Sequence, residues 1–212
     1  MRKAPAPFFV MKEPKPLREL KKLKDGSYEL TLNMHRGQIS ALQSQARFIL
    51  MVAGSQGGKT VTGAHWLKDE IDARGDGDYL AVTASFPLLE KAMIKEFKEV
   101  FENIFHLGKY KDSEKIFESH AKDQHGSPLF RVIFATATNP ESIESATAKG
   151  AWLDEAGQVQ FRRESWEAIN RRLARYQGRI LITTTPYTVR GWLKTEVYDR
   201  WADGDKDYDV IQ

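Results

Sequence analysis

The apolar run RFILMVA at residues 47–53 leads directly into GSQGGKT at residues 54–60. Two adjacent glycines at the end of a strand cost backbone entropy and pack nothing. Their position calls for bare backbone, with a lysine and a hydroxyl directly behind it. The residues that follow, TVTGAHWLKDEIDARG, place Ala64, Leu67, Lys68 and Ile71 on one helical face, and Gly75 and Gly77 end the pattern. A Gly-rich turn between a buried strand and a helix aims several backbone N–H groups at one point. The helix N-terminus adds partial positive charge there. Such a cradle suits a chain of phosphates.

In this reading Gly54, Ser55, Gln56, Gly57 and Gly58 form the loop. Gly57 and Gly58 let backbone approach the ligand without a Cβ. Lys59 reaches the β- and γ-phosphates, and Thr60 offers its hydroxyl to Mg²⁺. The stretch departs from the strict pattern G-x-x-x-x-G-K-[ST]: Ala53 stands where the first glycine belongs, and Gly54 follows it. The competing reading is a Gly-rich structural turn. The strand-to-helix setting favours nucleotide binding.

Elsewhere the chain alternates strands and helices. SYELTLNM reads as a short strand and RGQISALQSQARF as a short helix. YLAVTAS, LFRVIFATA, GAWLDEA, RILITTTP and DYDVI read as strands. PLLEKAMIKEFKEVFENIF reads as a long amphipathic helix with Pro87 in its first turn and an apolar stripe of Leu89, Met93, Phe97, Val100 and Phe101. Lys91, Lys95 and Lys98 on that helix form a solvated face, with contact to DNA as the alternative. FRRESWEAINRRLARY and RGWLKTEVYDRWADG read as further helices. Apolar strands alternating with helices predict an α/β fold, a mainly parallel central sheet with helices on both faces. One domain is expected over residues 36–212, after a basic Pro/Lys-rich arm at residues 1–35.

Composition narrows the class. The chain has 212 residues, enough for a substantial core, and is 41% hydrophobic and 29% charged, as in ordinary globular proteins. No apolar run approaches the roughly 18 residues of a membrane span. There is no cysteine, which excludes disulfides and cysteine-ligated metals. Residues 1–24 carry a net +6 and the remainder −3, so the basic excess is local. The arm reads either as a solvated, partly disordered segment or as one that touches nucleic acid or a neighbouring subunit.

Two further segments carry chemistry. In GAWLDEAGQ, Asp154 and Glu155 follow an apolar strand, where ionised carboxylates resist burial. A metal ion and a polarised water explain both: Asp154 in the Mg²⁺ shell through water, Glu155 orienting and deprotonating the water that attacks the γ-phosphate. In ILITTTP, Thr183, Thr184 and Thr185 end a strand. They reflect β-propensity, or they sense the γ-phosphate region and relay hydrolysis.

Together, RGQ, AGSQGGKT, WLDEAGQ and GRILITTTPY, with the helix WEAINRRLARYQ, resemble the N-terminal ATPase domain of phage terminase large subunits, the DNA-packaging motor. The resemblance runs from about residue 36 to the end. It implies an additional-strand, RecA/ASCE-like P-loop NTPase. The expected cofactors are ATP and Mg²⁺, and the expected substrate is double-stranded DNA driven into a procapsid. It also implies a homo-oligomeric ring, a pentamer on the portal protein, with a small terminase subunit as partner and no membrane. The expected location is the cytoplasm of an infected bacterial host, transiently at the procapsid portal vertex. By position Gln38 matches a glutamine that contacts adenine, with Gln45 as rival, and Thr183, Thr184 and Thr185 match the coupling motif.

Two departures from that family stand out. Many relatives carry an arginine within the loop, where this chain has Ser55. The γ-phosphate cation is then expected from elsewhere, a neighbouring subunit included. Arg131, Arg162, Arg163, Arg171, Arg172 and Arg175 are candidates, and Arg172 is favoured for following the acidic strand. The family also continues into an RNase H-like nuclease domain, which this chain is expected to lack as a shortened or split protein; no nuclease activity is expected from these residues. The alternatives are a helicase-like translocase of the DEAD/DEAH kind, a small-molecule P-loop kinase, and a nucleotide-gated DNA-binding scaffold without turnover.

Overall fold

A computed structural model describes residues 15–139, 143, 147–186 and 191–212. The chain divides into two units, Met1–Arg36 and Gly37–Gln212. In the first, β1 (Arg18–Lys22) pairs antiparallel with β2 (Tyr28–Leu32). The turn between them is closed by Asp25, whose carboxylate accepts from the Ser27 amide at 2.9 Å and the Ser27 hydroxyl at 2.6 Å. Strand β1 carries no apolar alternation that would mark it in sequence; its partner creates it.

The second unit is built on one sheet. Its strands are β3 (Phe48–Val52), β4 (Gly77–Thr83), β5 (Gly108–Lys111), β6 (Ile116–Ser119), β7 (Phe130–Thr136), β8 (Ala148–Asp154), β9 (Arg179–Thr184) and β10 (Tyr208–Ile211). Their spatial order is β10-β3-β9-β8-β4-β7-β6-β5. The strands from β10 to β7 are parallel, and β6 and β5 add an antiparallel margin. This is the mainly parallel α/β sheet that the alternating pattern predicts. The β5–β6 hairpin is an addition to it: GKYK and IFES are short and half polar or charged, so neither offers the apolar run that marks a central strand.

Helices cover both faces. On one lie α1 (Arg36–Gln43), α2 (Lys59–Arg74) and a long helical run at residues 86–104. That run alternates α-helical and π-helical turns: α3 (Phe86–Leu88), a π turn (Leu89–Met93), α4 (Ile94–Lys98) and a second π turn (Glu99–Ile104). Its apolar stripe, Leu89, Met93, Phe97, Val100 and Phe101, is buried with at most 2% exposure, and Phe97 stacks on Phe101 at 3.9 Å. The opposite face is covered by α5 (Arg163–Leu173) and by a π turn (Lys194–Tyr198) that continues into α6 (Asp199–Ala202). Along β3, Phe48 and Leu50 join the α5 side of the core, while Ile49 and Met51 join the α2 side. Burial on both faces is why this strand reads as a continuous apolar run. Among the described residues no helix is long and apolar enough to cross a membrane.

Strand β9 has the largest consequence for the site. It lies late in the chain, yet it is inserted between β3 and β8, pairing Met51↔Thr183 on one side and Asp154↔Thr183 on the other. Because these strands are parallel, the ends of β3, β9, β8 and β4 meet at one edge of the sheet. Ligands of open α/β sheets bind at that edge.

Candidate active site

The loop after β3 is shaped by contact as well as by composition. The Ala53 amide extends the β3–β9 ladder by donating to the Thr184 carbonyl at 3.1 Å, and the Gly57 amide closes a turn onto the Gly54 carbonyl at 3.1 Å. Gly58 has φ 68°, in the left-handed region that favours glycine. A Cβ there would lie 2.4 Å from Gln38 Nε2. Lys59 opens α2 and is 6% exposed. Its ammonium donates to the Ala53 and Gly54 carbonyls at 3.2 and 3.0 Å, and Glu155 Oε1 lies 3.6 Å away.

Asp154 ends β8 and is 3% exposed. Its Oδ2 accepts from the Thr60 hydroxyl at 3.1 Å and its Oδ1 from the Thr183 hydroxyl at 2.7 Å. Burial pushes the Asp154 carboxyl up to about 6; the Thr183 bond opposes this, the Glu155 charge adds to it, and Thr60 and Lys59 offset it. Glu155 has φ 53°, a strained conformation for a residue with a side chain. The kink turns its carboxylate back toward Lys59. The Thr185 amide and hydroxyl both donate to it at 3.3 Å.

The structure thus brings Lys59, Thr60, Asp154, Glu155 and the threonines together. Each threonine touches a different part of the acidic segment. Thr183 holds Asp154, Thr184 accepts from the Gly157 amide at 2.9 Å, and Thr185 holds Glu155. Any shift of β9 relative to β8 is therefore felt at both carboxylates. Behind them, the Trp152 indole N–H donates to the Thr183 hydroxyl at 3.3 Å, and its ring lies under Gly63 of α2. Sequence reasoning passed over both; an isolated glycine inside a helical pattern, one turn behind the loop, was the available signal.

Gln38 is 2% exposed, on the buried side of α1. Its Nε2 donates to the Gly58 carbonyl at 3.2 Å and to the Thr62 hydroxyl at 3.1 Å, so it braces the loop from behind. Its rival Gln45 is exposed and donates to the Gln43 carbonyl at 3.1 Å.

The arginines separate by edge. Ser165, in the first turn of α5, donates to the Ala137 carbonyl beside the catalytic edge, while Leu173 at the other end packs over Gly178 and the Lys149 backbone at the start of β8. Arg172, beside Leu173, therefore lies toward the start of β8, while Asp154 ends that strand about 20 Å away along it. Arg172 is favoured in sequence for following the acidic strand, with action in a neighbouring subunit left open; within its own chain it lies toward the other end of β8. Arg131 is bound bidentate to Asp78 at that end of the sheet, and Arg163 pairs with Glu167 and Glu196. Arg175 stacks on Tyr176. Arg162 is exposed on the catalytic side, lining a cavity of about 520 Å³ with residues of the loop after Glu155.

The donor set fits a magnesium nucleotide. Among the described residues no three His, Cys, Asp or Glu side chains form a cage. A P-loop magnesium needs none, because phosphate oxygens and waters fill most of its shell. Thr60 and Asp154, a hydroxyl and a buried carboxylate already in contact, are groups of the kind such an ion takes.

A search of curated protein sequences found no match. Among solved structures, a large terminase from a thermophilic bacteriophage superposes with a TM-score of 0.68 at 13% identity, covering 84% of this chain and 46% of that one. The same protein in complex with ATP-gamma-S gives 0.65 at 13%, covering 84% and 45%. The large terminase ATPase domain of Thermus phage P74-26 gives 0.61 at 19%, covering 75% and 67%. The chain thus spans less than half the length of the first of these proteins. The family described as terminase large subunit, T4likevirus-type, N-terminal, matches residues 50–212, which include the loop, both carboxylates and the threonine strand, and the chain belongs to that family.

Proposed function

We propose that this chain is the ATP-hydrolysing, Mg²⁺-dependent motor domain of a phage terminase large subunit, which drives double-stranded DNA into the procapsid. The observation that carries the reading is the meeting of loop and acidic strand, with Thr60 at 3.1 Å from Asp154 and Lys59 at 3.6 Å from Glu155. Bound magnesium triphosphate supplies the phosphoryl group and the divalent charge. The amides of residues 54–60 and the Lys59 ammonium hold the phosphates and offset charge that develops on them. Thr60 directly and Asp154 through water would hold the Mg²⁺. Glu155, oriented by Thr185, takes the proton of the attacking water.

Gln38 braces the loop and is the candidate adenine contact. Thr183, Thr184 and Thr185 pass the state of the site along β9, the coupling role. Of the arginines, Arg162 is better placed than Arg172 to serve a γ-phosphate in its own chain, and Arg172 remains a candidate for the site of a neighbouring copy. The ring of copies on the portal, the small subunit, a nuclease domain elsewhere in the protein, and action in the host cytoplasm and at the portal vertex belong to the same proposal. They rest on family membership.

The test is Glu155→Gln. Steady-state turnover should fall by about 10²-fold or more, while affinity for ATP stays within a few-fold. Turnover that survives the substitution would remove Glu155 from the role of base.

A further inference from the structure

Strand β8 carries a second residue on the face of Asp154. Side chains alternate along a strand, so Trp152, two positions earlier, points the same way, into the core beneath α2. Strand β9 sets Thr183 beside Asp154, in register. Trp152 and Thr183 are both 0% exposed. The Thr183 hydroxyl has three polar neighbours: Trp152 Nε1 at 3.3 Å, the Leu153 carbonyl at 3.2 Å and Asp154 Oδ1 at 2.7 Å. A hydroxyl has one proton to give, and an indole N–H can only donate. The indole therefore occupies a lone pair of Thr183, and the two acceptors compete for the single proton. The bond to the carboxylate is the shorter and the charge-assisted one, so the proton goes to Asp154.

The surroundings single out the N–H edge of this ring. Gly63 stands inside α2, where alanine would favour the helix, yet a Cβ there would lie 2.0 Å from Trp152 Cε2 and 2.1 Å from Nε1. The helix thus gives up propensity to admit the edge that carries the nitrogen. Gly63 and Thr60 are three residues apart, on one side of α2. Thr60 meets Asp154 Oδ2 at 3.1 Å, and Gly63 meets Trp152. The helix therefore rests on β8 at two points, one on the carboxylate and one on the ring that orients its other donor.

We propose that Trp152 is a positioning residue of the hydrolytic site: its N–H turns the Thr183 hydroxyl onto Asp154 Oδ1, and its ring, seated under Gly63, keeps that carboxylate in step with the helix that carries Lys59 and Thr60. The loop and the acidic strand are then aligned from within the core as well as by contact at the sheet edge. The inference rests on the proposed ATPase reading.

The test places β-(3-benzothienyl)alanine at position 152 of the full chain, an isostere that keeps the bicyclic shape and has sulfur in place of the N–H. Trp152→Phe, Thr183→Val and Lys59→Ala accompany it. The readouts are thermal melting, kcat, and calorimetric affinity for a non-hydrolysable ATP analogue with and without Mg²⁺. Without Mg²⁺ the isostere is expected to bind the analogue within twofold of the unsubstituted chain. The factor by which Mg²⁺ raises that affinity should fall about fivefold, and kcat about fivefold, as for the loss of one hydrogen bond. Trp152→Phe should show the same Mg²⁺-specific loss together with a lower melting temperature. In a Thr183→Val chain the isostere should add less than twofold, because the hydroxyl it orients is gone. A full Mg²⁺ effect with unchanged kcat overturns the inference. An equal loss of affinity with and without Mg²⁺ also overturns it, because the N–H would then be structural, and so does a multiplied loss in the double substitution. Undiminished turnover in Lys59→Ala would instead overturn the ATPase reading itself.

Discussion

Gly63→Ala puts the coupling of α2 to the acidic strand at risk in a way that helix propensity alone gets backwards. Gly63 lies in the interior of α2, where alanine is the better helix former by about 1 kcal/mol. In an open position the substitution would stabilise. Here the added Cβ would sit 2.0 Å from Trp152 Cε2, 2.1 Å from Nε1 and 2.5 Å from Cζ2. Carbon contacts settle near 3.5–4.0 Å, so ring and helix must separate by roughly 1.5 Å. Trp152 is fully buried and its N–H is committed to Thr183, which leaves it no side to move to. Overpacking of this kind costs about 3 kcal/mol, and loss of the indole hydrogen bond adds about 1. After subtraction of the propensity gain, the net loss is about 3 kcal/mol, or roughly 6–12 °C in Tm for a domain of this size. Thermal unfolding followed by circular dichroism reads it. Combination with Trp152→Phe, which vacates the clashing atoms, should cost less than the sum of the single substitutions by at least about 1 kcal/mol. A rise in Tm for Gly63→Ala, or strict additivity in the pair, would refute the argument that the ring sets this contact.

Arg179→Ala should cost about 3 kcal/mol in urea unfolding at constant m, because Arg179 supplies one of two cations to Glu70, which is 3% exposed, and also binds the Ala46 and Ser44 carbonyls at 3.0 and 2.5 Å. A loss under about 1 kcal/mol would mean that Arg74 satisfies Glu70 alone. Arg172→Ala should leave kcat within about twofold at chain concentrations where copies do not associate, since Arg172 stands at the edge of the sheet opposite Asp154. A drop of tenfold or more under those conditions would place it at the site after all.

Much of the site was legible because its signals are local. Glycines adjacent to a lysine and a threonine, set between a continuous apolar run and a helical pattern, have few other uses. An acidic pair closing another apolar run is nearly as restrictive. Gln38 was legible only as a position. Its burial and its bond to the Gly58 carbonyl depend on α1 lying behind the loop, which no periodicity reports. For Arg172, closeness along the chain to the acidic strand is not closeness in space within one copy, because α5 runs back toward the start of β8. Trp152 and Gly63 went unremarked because each is ordinary in its own segment and acquires meaning from its neighbour.

By itself the sequence determined the α/β class, the loop that opens α2, the acidic end of β8 and the threonine end of β9. Each of these rests on burial and backbone geometry within a few residues. Only the tertiary structure decided that β9 lies between β3 and β8, that Thr183 meets Asp154, and that α5 carries Arg172 away from the site. Those facts depend on pairings such as Phe48↔Ile180, across more than half the chain. A strand buried on both faces presents the same apolar pattern whichever neighbours it takes, so strand order is settled by packing of the whole sheet.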